Sequence, residues 1–201
     1  MTAIAIITAR GGSKRIPRKN IKDFLGKPII CYSIEAALSS GIFDEVMVST
    51  DDEEIADIAR AAGAKVPFMR SEKTSNDYAA TDDVLMEVLE EYKKRNQTFD
   101  YMACLYPTAP FITADRLVQA MDCLKKSDAS GLMPVVPFSF PPQRAFVSEN
   151  GCIRFANQQY AKARSQDLEP MYHDCGQFCC FKTELFLTKH TLVTENTMGI
   201  V

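Results

Sequence analysis

Residues 8 to 20 read Thr-Ala-Arg-Gly-Gly-Ser-Lys-Arg-Ile-Pro-Arg-Lys-Asn, a run built largely from donors and glycines. Gly11 and Gly12 let the backbone adopt unusual dihedrals and approach a ligand closely. Backbone N–H groups, the Ser13 hydroxyl, Lys14 and Arg10 supply donors for a chain of phosphates. Lys19 and Asn20 add a cation and an amide; an amide offers both donor and acceptor, which suits a base edge. Seven basic residues (Arg10, Lys14, Arg15, Arg18, Lys19, Lys22, Lys27) and one acid, Asp23, lie between Arg10 and Lys27, in a chain of net charge −3. A positive segment in an acidic protein points to a local anionic ligand rather than a polyanion laid across a face. Neither Gly-x-x-x-x-Gly-Lys-Ser/Thr nor Gly-x-Gly-x-x-Gly is present, so a P-loop and a dinucleotide fingerprint are both excluded. A solvated basic turn is the plain alternative; placement directly after a buried strand argues against it.

The elements that must position this loop follow from periodicity. Residues 3 to 8 read as a buried strand and 28 to 40 as a helix, with Pro28 in its first turn and Gly41 at its stop. Val46 to Ser49 is a second strand. Asp51 or Asp52 caps a helix running to Gly63, and Lys65 to Phe68 reads as a third short strand. A long helix from about Tyr78 to Arg95, a strand over Tyr101 to Leu105, a helix over Ala114 to Lys126 and a strand over Leu132 to Val136 complete the alternation. This is the pattern of a three-layer α/β fold: a doubly wound, mostly parallel sheet with ligands at the carboxyl ends of its strands. The pattern breaks at Val136-Pro137-Phe138. From about 138 to 174 the chain reads as an irregular insertion with a hairpin at Glu149-Asn150-Gly151, too short for a core of its own. The 201 residues therefore read as one domain, 1–201. Gly176 to Phe181 reads as a returning strand, and Met198 to Val201 as the start of another.

Apolar residues make up 46 %, ordinary for a soluble globular chain. The run Ala3 to Ile7 is too short to span a bilayer. Seven scattered cysteines suit reduced thiols and a cytoplasmic setting.

The segment Ile6 to Asn20 strongly resembles the first motif of the CMP-sugar synthetases that activate sialic-acid-like nonulosonic acids, with Thr8 where proline is common. The resemblance continues through Gly26-Lys27-Pro28, Ser49-Thr50-Asp51-Asp52, Val66 to Arg70 and Arg164 to Leu168. Within that family, Tyr172-His173-Asp174-Cys175-Gly176-Gln177-Phe178 looks most like the branch that acts on pseudaminic acid. The resemblance implies a Rossmann-like nucleotidyltransferase fold whose irregular insertion makes a homodimer contact. It implies transfer of CMP from CTP to the anomeric hydroxyl of a nine-carbon 2-keto sugar acid, with release of pyrophosphate and no role for nucleic acid or membrane. N-acetylneuraminate or legionaminate is the alternative acceptor, and a nucleotide-binding protein without turnover is the alternative of another class. A molybdopterin-type nucleotidyltransferase is a more distant reading, disfavoured because the match extends well past the first loop.

Residue by residue, the resemblance assigns Arg10, Gly11, Gly12, Ser13 and Lys14 to the β- and γ-phosphates. Lys19 is assigned to the α-phosphate, and is the residue whose loss should do most damage. Asn20 and Arg70 are assigned to the cytosine edge and Thr81 to the ribose. Candidates for the sugar acid are Tyr106, Arg164, Gln166, His173, Asp174 and Gln177. Mg²⁺ is expected with a triphosphate. Its aspartate ligands in the family come from a motif after the last strand, beyond Val201, so a C-terminal segment is expected to be missing and no ligand is named here. His173, Cys175, Cys179 and Cys180 match no common zinc spacing, and Cys179 and Cys180 would face opposite sides of a strand. The acids Asp51 to Glu54 suit a helix start through the dipole. Phe138, Phe140 and Phe146 could form an apolar partner surface.

Overall fold

The computed structural model describes residues 1–201. The chain divides into two compact units, Met1–Pro134 with Gly176–Ile200, and Val135–Cys175 with the terminal Val201.

In the first unit, β1 (Ala3–Thr8) is an apolar run buried along almost its whole length. After the basic loop, β2 (Asp23–Phe24) and β3 (Lys27–Pro28) form a small hairpin. That pairing takes up Pro28, so helix α1 (Ile30–Ser40) begins two residues later than its sequence pattern predicts. Gly41 ends α1 with φ 64, a left-handed conformation that glycine adopts without penalty. Then follow β4 (Glu45–Ser49) and α2 (Glu53–Ala61). The strand expected over Lys65–Phe68 does not form. Lys65 makes a single bridge to Met47, and Pro67, which has no N–H to donate, ends the pairing. A short helix α3 (Glu72–Ser75) precedes α4 (Thr81–Lys94). Helix α4 starts later than predicted because Asn76 makes its own turn, its Oδ1 accepting from the N–H groups of Tyr78 and Ala79 at 2.9 and 3.1 Å. The segment β5 (Tyr101–Leu105), α5 (Ala114–Lys125) and β6 (Gly131–Pro137) follows the predicted order.

The second unit takes the last three residues of β6, which pair with β9 (Tyr172–Asp174). Between them β7 (Phe146–Glu149) and β8 (Cys152–Phe155) form the hairpin expected at Asn150-Gly151. Both turn residues have positive φ, 51 and 80, as a two-residue hairpin turn requires. The chain returns to the first unit as β10 (Phe178–Lys182), followed by α6 (Thr183–Lys189), which the sequence pattern does not reveal, and β11 (Thr197–Ile200).

The strand order is β11-β6-β10-β5-β1-β4. β4, β1 and β5 are mutually parallel, β11 is parallel to β6, and β10 enters antiparallel between β5 and β6. Alternate side chains feed two cores. Ala5, Ile7, Val48, Leu105 and Cys180 face α1, α2 and α5. Ile4, Ile6, Met47, Cys104, Cys179 and Phe181 face α4 and Phe186 of α6. This is the predicted three-layer arrangement. Cys179 and Cys180 lie in different layers, as their adjacency in a strand dictates. No helix is long and apolar enough to cross a membrane. Strand order reverses at β1, which lies between β4 and β5, so the loop after β1 stands at the topological switch point.

One buried contact ties α4 to the sheet: the Tyr92 hydroxyl donates to Glu45 at 2.9 Å, and Lys65 pairs with the same carboxylate at 2.7 Å. Burial raises the Tyr92 pKa, and the Glu45 carboxylate adds to the rise. Tyr92→Phe leaves that carboxylate one donor short and should lower stability by about 1.5–3 kcal/mol. Urea unfolding should show a lower midpoint with an unchanged slope; a midpoint equal to wild type would mean that the bond contributes nothing.

Candidate functional site

β1 ends in pairing that runs one residue past the strand, with the Ala9 N–H donating to the Ser49 carbonyl at 3.0 Å. The basic loop starts there and closes on itself at Asn20, whose Nδ2 donates to the Arg10 carbonyl at 2.9 Å. Asn20 is buried, and its Oδ1 has no partner. An orphaned buried acceptor costs about 1–3 kcal/mol in general.

Gly11 is required by contact rather than by turn geometry. A Cβ there would stand 2.6 Å from Oδ2 of Asp52. The Gly11 N–H donates to Oδ1 of Asp51 at 2.9 Å, so a backbone donor of the loop already faces an anionic oxygen. Gly12 has open space around it. Ser13 turns back through its N–H to the Gly11 carbonyl at 2.9 Å, and its hydroxyl makes no bond within the chain.

The cations fall into two groups. Arg10 pairs with Asp77 at 3.1 Å and donates to the Asn76 carbonyl at 2.9 Å; Lys14 pairs with the other oxygen of Asp77. Asp77 is held below the usual carboxylate range, chiefly by its bond to Lys14. Arg18 instead grips Asp52 with both Nη atoms and also meets Glu54. Arg18 has φ 54, the left-handed region, which costs a residue with a side chain about 1–2 kcal/mol. Lys19, next in the chain and half-buried in the single 3-10 turn Lys19–Ile21, forms no ion pair.

Arg70 arrives from the segment after α2. It is 8 % exposed and donates through Nε to the Ser49 hydroxyl at 3.0 Å and through Nη2 to the Ser49 carbonyl. Burial pushes its pKa down to about 10, with Asp51 opposing the fall. Arg70 therefore stays charged at neutral pH, and its bonds to Ser49 use Nε and Nη2 but not Nη1. Thr81 is the first residue of α4, half-buried, its hydroxyl unbonded within the chain. Tyr106 and Gln177 meet where β5 ends and β10 begins, the Tyr106 N–H donating to the Gln177 carbonyl at 2.9 Å.

The other sugar candidates belong to the second unit. Arg164 holds Asp167 in a two-pronged pair of 2.7 and 3.1 Å, a grip that fits a carboxylate. Gln166 lines a groove of about 260 Å³ with Phe138, Pro141, Pro142, Leu168 and Met171. His173 packs its ring on Phe138 at 4.9 Å, and its Nδ1 donates to the Asp174 carbonyl at 2.9 Å. Asp174 is exposed on β9.

Asp51 and Asp52 are committed to donors of the chain, and no three Asp, Glu, His or Cys side chains gather to hold a metal ion. The residues present do not fit a protein-built metal site. Asp77 and the Asn76 carbonyl, the inner partners of Arg10 and Lys14, carry no sequence signal. They sit in a turn whose position only the fold reveals.

Residues 4–186 match a family model described as cytidylyltransferase. A pseudaminic acid cytidylyltransferase of Campylobacter jejuni is 49 % identical over 179 residues, spanning 89 % of this chain and 77 % of that protein. A CMP-N,N'-diacetyllegionaminic acid synthase of Legionella pneumophila is 37 % identical, spanning 77 % of this chain and 67 % of that protein. Among solved structures, a CMP:2-keto-3-deoxy-manno-octonic acid synthetase complexed with CTP superposes with a TM-score of 0.72 at 20 % identity, over 100 % of this chain and 90 % of that one. The 4-diphosphocytidyl-2C-methyl-D-erythritol synthase of Anaerococcus prevotii superposes with a TM-score of 0.62 at 13 % identity, over 99 % of this chain and 88 % of that one. At these identities the structural likeness establishes the fold alone.

Asp77 is the shared acid of two loop cations, so an added polyphosphate would compete with it for them. Asp77→Asn should therefore tighten binding of inorganic triphosphate about two- to fivefold at low salt, the scale of an exposed ion pair, as read by calorimetry. Weaker binding in the variant would mean that Asp77 orders Arg10 and Lys14 rather than competing for them.

Proposed function

The chain belongs to the cytidylyltransferase family, and on that premise we propose that it transfers CMP from CTP to the anomeric hydroxyl of pseudaminic acid. The general reaction, CMP transfer to a nonulosonic acid, fits the names of relatives to which it is similar in sequence. Pseudaminic acid is favoured over legionaminate by the higher identity to the Campylobacter enzyme. The observation that carries the reading is the loop itself. Arg10 and Lys14 converge on one anionic group, Asp77, at the carboxyl end of β1.

In the reaction the acceptor oxygen attacks the α-phosphorus in line. The bond to the β-phosphate breaks, pyrophosphate leaves, and the acceptor hydroxyl loses its proton. Such chemistry needs positioning and charge neutralisation more than covalent help. Arg10, Ser13, Lys14 and the Gly12 N–H are assigned to the β- and γ-phosphates, and the Gly11 N–H joins them by exchanging its bond to Asp51 for a phosphate oxygen. Lys19, a cation with no internal partner, is assigned to the charge that grows at the α-phosphate. The orphaned Oδ1 of Asn20 suits the cytosine amino group, a donor, and the free Nη1 of Arg70 suits its acceptors. Thr81 is assigned to the ribose. Tyr106 and Gln177 of the first unit are assigned to the sugar acid; Arg164, Gln166, His173 and Asp174 are candidates for it by resemblance alone. Magnesium is the expected counterion of the triphosphate, and no residue of this chain is assigned to it.

A homodimer formed through the second unit is part of the proposal. Phe140, Phe146 and Ile153 are 55, 54 and 67 % exposed, and a two-stranded hairpin such as β7–β8 is marginal without cover. The seven cysteines are free, which suits the cytoplasm.

Pyrophosphate release from CTP and Mg²⁺ tests the reaction, with pseudaminic, N,N'-diacetyllegionaminic and N-acetylneuraminic acids as acceptors. Pseudaminic acid should lead the others in kcat/KM by about tenfold or more. Lys19→Ala should lower kcat about 10²- to 10³-fold, as loss of one charge-stabilising group does, with little change in Tm. CTP binding without release from any acid would replace the enzyme by a binding protein. Sedimentation tests the dimer: wild type should run as twice its chain mass and Ile153→Asp as a monomer, whereas a monomeric wild type would refute it.

A further inference from the structure

Asp52 touches both ends of the basic loop. Its carboxylate takes both Nη atoms of Arg18, and it lies so close to Gly11 that a Cβ there would stand 2.6 Å from Oδ2. Asp52 is itself fixed. It caps α2, Oδ1 accepting from the Ile55 N–H at 3.0 Å, and its own N–H donates to Oγ1 of the fully buried Thr50 at 3.2 Å. Arg18 is the residue in the left-handed conformation, so a specific grip must hold it there. The residue it delivers next is Lys19, the loop cation left half-buried without an acid.

We propose that Asp52 is a positioning residue: by clamping Arg18 against Gly11 it fixes where the Lys19 ammonium stands. This rests on the reading of the loop as the CTP site. The clamp acts on geometry rather than on global stability. A partly exposed ion pair adds little to folding, whereas a shift of about 1 Å at a reacting group can cost about 10²-fold in rate. The Arg18 bond also holds the Asp52 carboxyl below its ordinary pKa, so the clamp stays ionised near neutrality.

Asp52→Asn separates the two jobs of this residue. Asparagine caps a helix as well as aspartate does, so α2 is kept while the charge facing Arg18 is lost. Its Tm should stay near wild type while kcat falls about 10- to 100-fold and KM for CTP moves less. Arg18→Ala, which leaves the cap untouched, should reproduce the loss. The double variant should be no slower than either single one, and Arg18→Lys should fall between. An Asp52→Asn kcat within about twofold of wild type, or losses that multiply in the double variant, would overturn the proposal. A second readout needs no turnover: trypsin should cut after Arg15 and Lys19 faster in both single variants than in wild type. Unchanged cleavage would also overturn the clamp. An inactive wild type, by contrast, would count against the CTP reading, with the trypsin rates still deciding the clamp.

Discussion

Six cations fall within the thirteen residues from Arg10 to Lys22. In an empty site they repel one another, and the loop can be ordered only if carboxylates are brought to it. The fold supplies them through topology. Because β1 lies between β4 and β5, the segments leaving β4 pass over the carboxyl end of β1. They bring Asp51, Asp52 and Glu54 to one flank of the loop and Asp77 to the other. The parallel order of three strands is thus what makes a concentrated positive charge compatible with a folded chain.

The two flanks differ in stiffness. Asp52 is anchored by a helix cap and by a buried threonine, and its side chain is 21 % exposed. Asp77 sits on a turn between two helices and holds an Arg10 and a Lys14 side chain that are 34 and 80 % exposed. Contacts of the second kind are weakened by salt and by competing anions. The loop is therefore held firmly where Arg18 leads into Lys19 and loosely at Arg10 and Lys14. That division suits the triphosphate site proposed for it, which would admit a ligand at one end and present a fixed cation at the other.

Much of this architecture was legible in the sequence, because strands such as Ala3–Thr8 and Tyr101–Leu105 are continuous apolar runs and helices such as α2 announce their caps. The basic loop was legible for the same reason, being local and rich in unusual residues. What was not legible is non-local. The Lys65–Phe68 run has strand-like residues, but one bridge and a proline end its pairing. The acids Asp51 to Glu54 read as ordinary helix-start residues, and their sequence gives no hint that Asp52 meets Gly11 and Arg18 across the fold. Asp77 lies in a polar stretch without period. Side chains that matter through a partner dozens of residues away leave no local pattern.

The carboxyl end of β4 shows how far one strand end can organise a site. The Ser49 carbonyl accepts from the Ala9 N–H and from Arg70, its hydroxyl accepts from Arg70 Nε, and the Thr50 carbonyl accepts from the Arg70 N–H at 2.8 Å. Arg70 is thus buried against neutral oxygens, with no carboxylate in direct contact. A charge placed this way is disfavoured by desolvation, and the depressed pKa, about 10, records that cost. A purely structural arginine would be better served by an acid at its head. An arginine held by neutral acceptors keeps much of its positive potential at the switch point, offset only at a distance by Asp51 and Glu87. The strand end therefore fixes the start of the basic loop and a buried cation beside it with the same two residues. That coupling is why the position of the loop and the charge of its surroundings cannot be varied independently.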